Sequence, residues 1–107
     1  MNSMNEIANR MYQLPVKYNQ KISQAVQILR EVGCTEVYLF GSLGTGNYHE
    51  GSDIDLAVRG CPKGKYFYVL GQLLDALDYK VDLVDLDSKE NAFAQHLQNM
   101  GRLVKIA

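Results

Sequence analysis

Cysteine is scarce in this chain: only Cys34 and Cys61 occur among 107 residues. Their spacing matches no metal-ligand pattern, and two residues are too few to staple a fold of this length. They read as reduced thiols in a cytoplasmic protein. Basic residues are not in excess either. Eleven Lys and Arg stand against twelve Asp and Glu, for a formal net charge of −1. Proteins that wrap DNA or RNA usually carry a basic stripe, so no direct contact with nucleic acid is expected. No stretch approaches the roughly 20 apolar residues that span a bilayer. The first residues lack the charged opening and apolar run of a signal peptide. There are no repeats, linkers or low-complexity tracts.

What is present suits one soluble globular domain over residues 1–107, with 47% hydrophobic and 21% charged residues. Residues 1–12 are polar with scattered apolar positions and suggest a short helix or an arm. Pro15 suits a first helical turn, and Val16, Ile22, Ala25, Val26, Ile28 and Leu29 recur at helical spacing up to a stop at Gly33. Residues 35–40 are strand formers ending at Gly41, and 54–58 form a second strand. Helical spacing returns over 66–78, with Phe67, Leu70, Leu73, Leu74 and Leu77 as the predicted buried stripe. Residues 79–86 read as a third strand. A last helix over 89–99, capped by Asp87 or Ser88, ends at Gly101 before a short strand around 103–106. The pattern predicts an α/β (or α+β) fold, a small mixed sheet with flanking helices.

The chemistry concentrates in residues 41–55, Gly-Ser-Leu-Gly-Thr-Gly-Asn-Tyr-His-Glu-Gly-Ser-Asp-Ile-Asp. Alternate side chains of a strand share a face, so Asp53 and Asp55 project together and Ile54 turns away. Two adjacent carboxylates repel unless a cation sits between them or one is protonated. Gly41 permits close backbone approach, and amide groups with the Ser42 hydroxyl can bind phosphate oxygens. Paired aspartates beside such a turn suit Mg²⁺ and a phosphate chain.

Ten residues separate Gly41-Ser42 from Asp53-Ile54-Asp55. This spacing resembles the Gly-Ser-x10-Asp-x-Asp signature of the polymerase-β-like nucleotidyltransferase superfamily. More narrowly, it is similar to the small stand-alone MNT (minimal nucleotidyltransferase) proteins, over roughly residues 15–100. The resemblance implies a palm-like sheet, ATP as co-substrate and Mg²⁺ held by Asp53, Asp55 and a third carboxylate. Val81-Asp82-Leu83-Val84 matches the segment that carries the third carboxylate in the family, which points to Asp82. Asp85 is the alternative, although an odd separation puts it on the other face of a regular strand. Many relatives carry a basic residue three or four positions after the serine. This chain has Thr45 and Gly46 there, with Lys63 or Lys65 as possible substitutes. The resemblance further implies an antitoxin that transfers AMP from ATP to a tyrosine of a HEPN-domain RNase toxin. The alternative is a non-catalytic nucleotide-binding or toxin-shielding subunit in a hetero-oligomer.

Other residues have ordinary readings. His49 reads as a surface loop residue, and His96 as surface or partly packed. Tyr48 either packs or stacks on a nucleobase. Tyr66 and Tyr68 flank Phe67 in a possible aromatic patch for a partner. The acidic bunch of Asp75, Asp78, Asp85, Asp87 and Glu90 reads mainly as solvated surface.

Overall fold

The structure is a computed structural model that describes residues 14–107, so the arm or helix expected over 1–12 lies outside the described residues. The elements in chain order are α1 (Val16–Val32), β1 (Glu36–Phe40), α2 (Gly41–Thr45), β2 (Ile54–Arg59), α3 (Tyr66–Leu77), β3 (Val81–Asp85), α4 (Ala92–Met100) and β4 (Val104–Lys105). The sheet order is β3-β2-β1-β4. β1 runs antiparallel to β2 and β4, while β2 and β3 are parallel and joined through α3. This is the mixed sheet with flanking helices that the pattern predicts.

Period-two alternation splits the core between the two sheet faces. Val37, Leu39, Ile54, Leu56, Val58, Val81 and Leu83 pack with Ile22, Ala25 and Leu29 of α1 and Val69, Leu73 and Leu77 of α3. Phe40, Ala57, Val84 and Leu86 face the other way, against Ala94 and Leu97 of α4. α1 ends at Gly33, whose left-handed conformation returns its amide to Arg30 and Leu29, as expected of a glycine stop.

Four local expectations need correction. In α1, Tyr18 is buried and Val16 is exposed, so the apolar stripe starts two residues later than predicted. In α3, Phe67 is 82% exposed and Leu74 43% exposed, whereas Val69, Leu73 and Leu77 are buried. That helix is apolar on more than one side, and packing on the sheet selects the stripe. α4 starts at Ala92 because the Asn91 side chain accepts from the Phe93 and Ala94 amides, which displaces the expected caps at Asp87 and Ser88. Finally, Cys34 and Cys61 are joined in a disulfide and are not free thiols. Antiparallel pairing ends at Glu36↔Arg59, and two residues further along that register the cysteines face each other. Their separation of 27 residues hides this pairing in the sequence.

Candidate active site

The parallel register of β2 and β3 pairs Asp55 directly with Asp82. Both aspartates therefore lie on the α4 face of the sheet, in line with Ala57 and Val84 respectively, which α4 covers. The cover stops short of the carboxylates. Asp53 and Asp55 are half-buried and Asp82 is exposed. The Asp55 carboxyl is pushed up to about 7, first by burial, then by its hydrogen bond to Asp82 and by the charges of Asp82 and Asp53. Burial and the neighbouring carboxylates thus favour the protonated form of Asp55.

Gly41 closes the floor of the site. It takes φ +68° just after β1, with its backbone close against the Asp55 carboxylate. The loop expected after Gly41-Ser42 is in fact the short helix α2, which starts at Gly41 and has Ser42, half-buried, in its first turn. Phe40 stands at the cap position and supplies no side-chain acceptor. Helix starts are places where backbone amides bind anions, and Gly41 and Ser42 occupy that position in α2.

A cleft of about 460 Å³ opens on the pair, lined by Phe40, Asp55, Tyr66, Leu70, Val81, Asp82, Leu83, Val84 and Phe93. Phe40 and Phe93 meet edge to face on the α4 side, with centroids 6.1 Å apart. Tyr66 approaches from α3 and donates to the Leu83 carbonyl. The cleft thus wraps around β3, the edge strand. Burial, then the charges of Asp82 and Asp85, raise the Tyr66 phenol above its ordinary value.

Asp85 does not join this group. Its carboxylate accepts from the Asp87 amide at 2.9 Å, and it lines a separate cavity of about 210 Å³ with Cys61, Lys63 and Asp87. Lys63 is thereby assigned to that cavity, and Lys65 sits over the Tyr68 ring at 5.3 Å. Neither lines the carboxylate cleft, so the expected substitute for the missing basic residue is not realised there. His49 and His96 are exposed. Tyr48 packs against the core, edge to face with Tyr18, which favours packing over stacking on a base.

The sequence reading missed one feature beside Asp53. Tyr18 and Tyr79 bring their hydroxyl oxygens to 2.9 Å, next to the Ser52 carbonyl. The hydrogen bond to Tyr18, then burial and nearby negative charge, push the Tyr79 phenol up to about 12. Local sequence carries no signal for a contact made across 61 residues.

Residues 17–106 match the family described as polymerase beta, nucleotidyltransferase. The chain belongs to that family. Within it, the chain is 38% identical over 69 residues to protein adenylyltransferase MntA of Shewanella oneidensis. That match covers 62% of this chain and spans half the length of the relative. Among solved structures, a toxin–antitoxin complex with AMP-PNP contains a chain that superposes with a TM-score of 0.61 at 30% identity. The superposition covers 82% of this chain and 71% of that chain. A tri-AMPylated Shewanella oneidensis HEPN toxin in complex with MNT antitoxin gives a TM-score of 0.59 at 25% identity, covering 82% and 70%.

Proposed function

We propose that this chain is a Mg²⁺-dependent protein adenylyltransferase, an antitoxin that transfers AMP from ATP to a tyrosine of a HEPN-domain RNase toxin. The observation that carries the reading is the juxtaposition of Asp55 and Asp82 on neighbouring strands, beside Gly41 and the start of α2. The names of the relatives, an adenylyltransferase and an AMPylated toxin with its antitoxin, support the choice of acceptor.

The donor set fits the metal. Among the described residues no three acidic, histidine or cysteine side chains form a ready-made cage. Mg²⁺ typically takes one or two carboxylates and completes its shell with water and substrate phosphates. Asp53, Asp55 and Asp82 are the residues that would hold it, and a cation would offset the burial and like charge that raise the Asp55 carboxyl. Bound metal supplies charge neutralisation for the triphosphate and for the departing pyrophosphate. The protein's own groups do the rest. Gly41 and Ser42 accommodate phosphate oxygens at the start of α2. Asp82, the exposed member of the pair, faces the acceptor and draws off the phenolic proton as the tyrosine oxygen attacks the α-phosphorus. The products are an AMP–tyrosine phosphodiester and pyrophosphate.

A second reading, a non-catalytic nucleotide-binding or toxin-shielding subunit, is favoured by one observation. Thr45 and Gly46 are uncharged, and Lys63 and Lys65 lie on other surfaces. Incubation of the chain and its toxin with Mg²⁺-ATP separates the two. Gain of about 329 Da per transferred AMP on the toxin, abolished by Asp53→Asn, supports transfer. An unmodified but inhibited toxin supports shielding. We place the protein in the cytoplasm on the same reading, and no described helix is long and apolar enough to cross a membrane.

A further inference from the structure

Two phenols converge on the peptide group immediately before Asp53. Tyr18 is buried on α1, and Tyr79 lies in the turn ahead of β3. The Tyr79 hydroxyl donates to the Ser52 carbonyl at 2.9 Å, while the Tyr18 oxygen is 3.4 Å from that carbonyl and 2.9 Å from the Tyr79 oxygen. Each phenol has one proton to give. The shorter distances assign the Tyr79 proton to the carbonyl and the Tyr18 proton to the Tyr79 oxygen. The rings meet edge to face with centroids 5.8 Å apart, which fixes both hydroxyls in place.

The opposite side of Asp53 is held as well. The Ile54 amide donates to the Lys80 carbonyl at 3.0 Å. Residues 79 and 80 therefore grip peptide groups on both sides of Asp53, and Asp82 follows two positions later on β3. Regular pairing of the two strands begins only at Ile54↔Val81. Asp53 is outside that ladder, and the Tyr79 contact ties its preceding peptide to the turn ahead of β3. Ser52 is buried, and its hydroxyl accepts from the His49 amide at 2.8 Å, so the loop arrives at this point already closed on itself.

We propose that Tyr79, backed by Tyr18, is a positioning residue that holds Asp53 beside the Asp55–Asp82 pair for binding of a divalent cation and its nucleotide. The inference rests on the adenylyl-transfer reading above. A merely structural role, sealing one end of the core, would cost stability and leave cation affinity alone.

Tyr79→Phe keeps the ring and removes the donor. Two measurements follow it: amide hydrogen exchange at residues 52–54 without metal, and Mn²⁺ titration in the presence of a non-hydrolysable ATP analogue. Exchange at these amides should accelerate, and the Mn²⁺ dissociation constant should rise about tenfold, as on loss of a group that orients a metal ligand. Tyr18→Phe should shift both in the same direction by less. Tyr38→Phe, which removes a phenol bonded to Glu36, should change neither. If Tyr79→Phe binds Mn²⁺ as tightly as wild type, the inference is overturned whatever the exchange rates do. If the wild-type chain takes up no Mn²⁺ with the analogue, the transfer reading falls and this inference falls with it. Should Tyr79→Phe fail to fold, Tyr18→Phe decides by the same criterion.

Discussion

A β-carbon built on Gly41 would lie 2.1 Å from a carboxylate oxygen of Asp55. The glycine also has φ +68°, a conformation that costs an L-residue about 1 kcal/mol or more. The two facts act on different properties. The backbone penalty lowers stability modestly, while the collision displaces a carboxylate of the proposed site. Gly41→Ala should therefore fold with a slightly lower melting temperature and lose on the order of a hundredfold in AMP transfer, as misplacement by about 1 Å can cost. Transfer at the wild-type rate would show that Asp55 can move without consequence.

Charge crowding at Asp55 and Asp82 gives stability and activity opposite signs. Asp55→Asn keeps the shape of the side chain and removes one of the repelling charges. At pH 8 without metal the variant should melt above wild type, since active-site charges are commonly retained at a cost in stability. On the adenylyl-transfer proposal, AMP transfer should fall on the order of a thousandfold, because a proposed metal ligand is gone. Parallel melts and toxin mass spectra check both. A variant that is less stable and still active would contradict the arrangement.

Much of this arrangement was legible because it depends on strand parity and spacing. The odd separation of Asp82 from Asp85 decides that they take opposite faces, and the sheet register, which pairs Asp82 with Asp55, preserves that. The helix stops at Gly33 and Gly101 were legible for a similarly local reason, the left-handed cap. Features set by distant partners were not. α3 is apolar on several sides, so the choice between Phe67 and Val69 as the buried position belongs to the sheet it packs on. The short helix at Gly41–Thr45 contradicts the propensity of its glycines and is fixed by contacts with β1 and β2. The Tyr18–Tyr79 contact and the Cys34–Cys61 bridge join residues far apart in the chain.

The raised Asp55 carboxyl predicts an unusual pH dependence. Its ordinary value is 3.8, and in the fold it rises to about 7. Below pH 4 both folded and unfolded chains hold the proton, and its stabilising effect is fully present. Between about 4 and 7 the unfolded chain has lost the proton and the folded one keeps it, so stability falls as pH rises through this window. Above 7 both are ionised and the dependence ends. Metal-free wild type should thus lose melting temperature from pH 4 to 7 more steeply than Asp55→Asn. Mg²⁺ with nucleotide should displace the proton, releasing it to buffer at pH 6 but not at pH 8. Calorimetry in buffers of different ionisation enthalpy measures that release directly.

The Cys34–Cys61 bridge lies beyond the far end of β2 from the carboxylates, about 20 Å away at the usual rise per strand residue. It ties the start of β1 to the loop that leads into α3, closing a loop with a sequence separation of 27. A bridge of that span stabilises a fold by about 3 kcal/mol, largely through the unfolded chain. Reduction should therefore lower the melting midpoint without altering AMP transfer at temperatures well below it. Replacing both cysteines by alanine should reproduce the reduced midpoint and make it insensitive to dithiothreitol. In any reducing compartment the pair would stand open, and the stability there would be that of the dithiol form. A midpoint unchanged by reduction would mean that the pairing of β1 with β2 already fixes the register the bridge spans.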